Sequence, residues 1–138
     1  MKNYNNRISA SIKEKDLKEI LDAIDFIDEK LSELVTLSKE EAMALPRMQE
    51  DTILFVSKSL ESAYKNINAV PKNVELDEVK KDLELCKSIE KISTPLNAIM
   101  KKLNDSALLA SSEAYLPAIA IHNALSSRGH QKRSGALH

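Results

Sequence analysis

The chain has 138 residues, a formal net charge of −1 and a single cysteine. That length suits one domain able to bury a core without staples. The balanced charge gives no general attraction to nucleic acid or to an acidic membrane. One cysteine cannot close an intrachain disulfide, so a reducing, cytoplasmic compartment is expected. With only 2 Gly and 4 Pro, the chain has few turn formers, which points to few, long elements. Aromatics are 4% and Trp is absent, so any core must be aliphatic. The abundance of Ala, Leu, Ile, Lys and Glu favours helix. The opening MKNYNNRISASIKEKD holds no apolar signal core, and no run approaches 18 uninterrupted apolar residues, so neither a signal peptide nor a membrane span is expected.

In chain order, the first pattern lies between Glu14 and Thr36. Leu17, Ile20, Leu21, Ile24, Ile27, Leu31, Leu34 and Val35 fall on one stripe of a 3.6-residue helix. Lys15, Lys18, Glu19, Asp22, Glu29, Lys30 and Glu33 mostly take the other side. Asp28 is the exception, because its angle sets it within the stripe. Phe26 is the reverse exception, an aromatic on the polar face. Ser38 and Glu41 then match a capping box, and Pro46 closes the segment that they open, so residues 39–44 read as a short helix joining two long ones.

A second long helix is expected from about Gln49 to Asn66, with Ile53, Val56, Leu60, Ala63 and Ile67 at steps of three and four. NAVPKNVEL is the clearest connector. A third helix should begin near Glu75 to Asp77, its acidic first turn suiting the helix dipole. Its stripe runs Val79, Leu83, Cys86, Ile89, Ile92, Leu96, Ile99 and Leu103. Pro95 interrupts it, but the apolar phase carries through, which favours one kinked helix over two. Cys86, on that stripe, reads as a buried, inert thiol. Asn104, Asp105 and Ser106 offer a cap for a fourth helix ending near Ser126. Residues 127–138 have no apolar period and carry Arg128, Lys132 and Arg133 without an acid, so a disordered basic tail is expected. With few charges and no aromatics to stack on bases, the tail is expected to be a solvated terminus, contact with nucleic acid or an acidic partner being the weaker reading. These elements together predict an all-α protein, an antiparallel up-down-up-down four-helix bundle over residues 1–126, with a short extra helix between its first two long helices.

Three short segments, NRISASI near the start, ALPRM after the capping box and SSEAY in the last helix, resemble marks of a group of small, uncharacterised bacterial proteins that are helical throughout. The resemblance spans residues 6–125 and implies an all-helical fold and a bacterial origin. The chain departs from the group in having Ser111 where glycine is usual and His122 where tyrosine is usual. Its C-terminal tail is also shorter and lacks a further helical segment. A catalytic role for His122 would therefore not be a trait of the group.

The chemistry-bearing residues form no familiar constellation. A di-metal bundle needs Glu-x-x-His pairs, and none is present, since Ile119 precedes His122 at that spacing. One cysteine and scattered histidines make no structural zinc site. Ser111 and Ser112 lack the strand–turn–helix setting of a nucleophile elbow, and glycines at 129 and 135 alone make no phosphate loop. No metal or cofactor is expected. In the last helix, Ala107, Ser111, Ala114, Ala118, Ile121 and Leu125 share one face, taken as its core face. Tyr115 and His122 flank it on one side, while Glu113 points nearly opposite, which disfavours a Glu113–His122 acid–base pair.

These residues are compatible with two readings. The first is a non-catalytic structural or protein-interaction module, with Phe26, Leu109 and Leu116 as candidate contact groups for an unidentified protein partner or a second copy of the chain. The alternative is a ligand-binding or enzymatic bundle with a pocket near Tyr115 and His122, and with Asp28 as a further pocket or polar-core carboxylate. Asp28 is expected at a helix edge or paired, because an unpaired buried carboxylate is costly. Pro117 is read as a tolerated kink.

Overall fold

The computed structural model describes residues 6–47 and 51–136, with side chains as far as Gly129. The described residues are all-helical, with no strand among them. Among the described residues four α-helices occur in the order α1 Glu14–Lys30, α2 Lys39–Ala44, α3 Thr52–Lys65 and α4 Leu76–Ala136, with a 3₁₀ turn at Ile67–Ala69. None of them is long and apolar enough to cross a membrane. The chain divides into two compact units, one of Lys13–Pro95 and one of the N-terminal segment up to Ile12 with the stretch from Leu96 onward.

In the Lys13–Pro95 unit, α1 ends earlier than its stripe suggests. It stops at Lys30, and Leu31 closes it by donating its amide to Ile27 and Asp28. The next residues, Ser32 to Ser38, include Val, Thr and Ser, which are weak helix formers. Leu34 and Val35 therefore leave the helix, and Val35 is 81% exposed. α2 begins as its sequence dictates. The Glu41 amide donates to Ser38 Oγ at 3.1 Å and the Ser38 amide to Glu41 Oε1 at 3.4 Å. Beyond its end, the Arg47 guanidinium donates to the Ala42 carbonyl at 3.0 Å. Gln49, the expected start of the next helix, lies outside the described residues. α3 is capped by Asp51, whose carboxylate accepts the Leu54 amide at 3.2 Å.

α3, the connector and the start of α4 make a helical hairpin. Its two buried side chains are Leu60 and Leu83, and the half-buried positions around them are Ile53, Val56, Ser57 and Ala63 on α3 and Leu76, Val79 and Lys87 on α4. Cys86 is exposed rather than buried. At 100° per residue Val79 and Lys87 lie about 40° to either side of Leu83 and Cys86 about 60° from it, just outside Val79 at the edge of the face.

The largest departure from expectation is the length of α4. It is one 61-residue helix covering both the expected third and fourth helices. Pro95 does not break it. Asn104, Asp105 and Ser106 do not cap a new helix. Each costs at most about 0.7 kcal/mol in a helix interior, too little to stop a helix that is already propagating. Asp105 instead accepts the Lys101 ammonium at 2.8 Å along the helix surface. The helical backbone also runs through residues 127–136, which composition assigns to an irregular tail; residues 137 and 138 lie outside the described residues.

Candidate functional site

In the unit that contains the second half of α4, the N-terminal segment lies extended against the helix. One side chain holds it. The Glu113 carboxylate accepts the Arg7 amide on Oε1 and the Ile8 amide on Oε2, the latter at 3.4 Å. Oriented to satisfy both of its ends, the Asn6 amide nitrogen donates to Glu113 Oε2 and to the Ile8 carbonyl, each at 2.9 Å. A carboxylate is acceptor-only and can serve several donors at once, which is what two successive backbone amides and a side-chain amide require. NRISASI thus supplies the donors, and SSEAY the acceptor.

This contact defines the covered face of α4. Ser106, Leu109, Glu113 and Pro117 are half-buried, as is Ile8 in the segment. These four helix positions are spaced three, four and four apart, so they share a face. The face expected to be the core is the other one. Ala107, Ala114 and Ala118 are exposed, and Ile121 and Leu125 are 61% and 62% exposed. Ser111 is exposed and returns its hydroxyl to the Leu108 carbonyl at 3.0 Å. Pro117 leaves the Glu113 carbonyl without its usual helical donor, while the same residue's side chain receives the N-terminal segment.

The candidate pocket residues are apart from Glu113. Tyr115 is 64% exposed and His122 is exposed on α4, away from the covered face. Asp28 is exposed on α1, and its carbonyl accepts the Leu31 amide. It escapes the cost of burial because the stripe around it is itself open. Of the candidate contact groups, Phe26 is exposed, with the Lys30 ammonium 5.5 Å from its ring centre. Leu109 is half-buried on the face of Glu113, and Leu116 is 41% exposed.

A cavity of about 480 Å³ opens at the end of the α3–α4 hairpin, lined mainly by Leu60, Ala63, Val70, Val74, Leu76 and Val79. Its polar lining is Ser59, Ser62 and Asn66, and the Asn66 amide is already donated to the Ser62 carbonyl at 3.1 Å. No titratable side chain lines it, so its walls supply no general acid or base. A second, more polar groove beside it brings Tyr64 near Glu75, Asp77 and Glu78. Neither includes Asp28, Tyr115 or His122. Among the described residues no group of three His, Cys, Asp or Glu is placed to hold a metal ion.

Sequence reasoning set Glu113 aside because it points away from His122, and missed what it does. The signal for it was a charged residue in an apolar helix with an extended, helix-poor segment at the chain start. Comparison of the chain with protein-family models, curated proteins and solved structures finds no match.

Proposed function

We propose that the protein is a non-catalytic interaction module. Its antiparallel four-helix arrangement forms between chains, where one chain alone supplies a hairpin and open helix faces. The observation that carries this reading is the open apolar stripe of α1. Leu17, Ile20, Leu21 and Ile24 lie on one face, and each is between 45% and 54% exposed. A contiguous apolar face of this kind marks a surface that another protein covers. Phe26 and Leu116 add apolar contact groups at the surface. The single exposed thiol of Cys86 suits a reducing, cytoplasmic setting.

The double variant Ile20→Glu/Ile24→Glu tests the reading. On an open face, each substitution shifts folding stability by no more than about 0.5 kcal/mol. The urea midpoint should therefore hold, while sedimentation velocity shows loss of the association made through α1. A fall of several kcal/mol in unfolding free energy would make the stripe part of the monomer's own core, and the reading would fail.

A further inference from the structure

The exposed face of α4 is symmetric in a way that identifies its occupant. Ile99, Leu103, Ala107, Ala110, Ala114, Ala118, Ile121 and Leu125 recur at steps of 4, 4, 3, 4, 4, 3 and 4. That is an 11-residue period, close enough to the helical repeat for the stripe to run nearly straight. All eight are exposed, with Ile99 at 51% and Leu103 at 52%. The pattern reads large, large, four small, large, large. The order of sizes is the same in both directions, with three of the four pairs centred on residue 112 and Ala107 with Ala118 half a residue away.

An antiparallel copy centred there would set Ile99 against the partner's Leu125, Leu103 against the partner's Ile121 and Ala110 against the partner's Ala114. The alanines let the backbones approach at the middle, and the larger residues fill the widening ends. Such a surface is self-complementary about a two-fold axis, as an isologous interface requires. The N-terminal segment covers the neighbouring face through Glu113, and it leaves this one free.

We infer that α4 pairs with α4 of a second copy of this chain, antiparallel, with the two-fold axis at the level of Ser112. This rests on the interaction-module reading and adds to the α1 stripe a second surface, on α4. From Ile99 to Leu125 the strip is about 39 Å long, and a helix is about 12 Å wide with its side chains, so the pair covers roughly 900 Å² in total. That is just below the roughly 1,200 Å² at which stable interfaces begin, so the dimer is weak and concentration-dependent, with a micromolar or weaker Kd.

The full chain carrying Cys86→Ser provides the background for spin labels at Ser112→Cys or Asn123→Cys, both of which lie off the stripe. In the antiparallel dimer the two 112 labels share one level, while the 123 labels lie about 33 Å apart along the axis. Double electron–electron resonance should give an Asn123→Cys distance longer by about 15 Å. Ala114→Arg should abolish the dimer in sedimentation equilibrium, and Ser112→Arg should leave it intact. Equal distances at the two labels, indifference to Ala114→Arg, or a monomer up to about 1 mM would each overturn the inference. A monomer that still binds another protein through α1 would overturn only the second copy as partner, leaving the module reading in place.

Discussion

Glu113→Ala should release the N-terminal segment without unfolding the protein. The carboxylate ends three donors, the amides of Arg7 and Ile8 and the side chain of Asn6. Hydrogen bonds to a charged acceptor contribute about 1.5–3 kcal/mol when buried. Here Asn6 and Arg7 are exposed and Glu113 is half-buried, so water re-forms much of what is lost. The whole clip is then worth about 2 kcal/mol, which is roughly a 30-fold rise in local opening. Alanine is the better helix former, so α4 itself gains nothing to break it. Amide exchange read by NMR should accelerate about 30-fold at Arg7 and Ile8 and stay unchanged at Leu60 and Leu83. Glu113→Gln keeps one acceptor oxygen but no charge, and should fall about midway. Unchanged protection at Arg7 and Ile8 in Glu113→Ala would refute the reasoning. So would equal acceleration along residues 105–120, which would mean that the helix and not the clip had been lost.

Other substitutions separate local from tertiary contributions. Leu83→Ala removes half of the buried pair in the α3–α4 hairpin and should cost about 2–3 kcal/mol in urea unfolding, the low end for a buried leucine because so small a core collapses easily. Pro95→Ala restores the amide that Lys91 lacks as a donor and relieves the ring clash. It should raise the stability of α4 by up to about 3 kcal/mol, seen as slower amide exchange over residues 91–99. No change there would mean that neighbouring contacts already compensate for the proline.

The local chemistry was legible in the sequence. Ser38 and Glu41 form the capping box that their spacing predicts, and α4 begins at Leu76 with Asp77 and Glu78 in its first turn. Leu60 and Leu83, placed on apolar stripes, are the two side chains that the hairpin buries. The errors share one cause. A bundle of four helices within one chain requires that each stripe be covered by the chain that carries it, and so requires a turn near Asn104. Nothing at 104–106 can stop a helix, since there is neither glycine nor proline and each residue's helical penalty is small. The same requirement would bury Cys86 and make Ala107 to Leu125 a core face. Periodicity tells which residues share a face. It does not tell what lies opposite.

Glu113 and Pro117 show how that limit bears on function. A helical carboxylate one turn before a proline has an obvious mechanistic look, since the proline frees the carbonyl of the same residue. Among the described residues, the groups that meet the Glu113 carboxylate are the amides of Arg7 and Ile8 and the side chain of Asn6. Each of these groups donates, so Glu113 serves here as an acceptor for the N-terminal segment. Glu113 holds the N-terminal segment against the face that also carries half-buried Leu109 and Pro117, beside the exposed face. The residues from Ser111 to His122 thus straddle the boundary between a face met by the N-terminal segment and an exposed face.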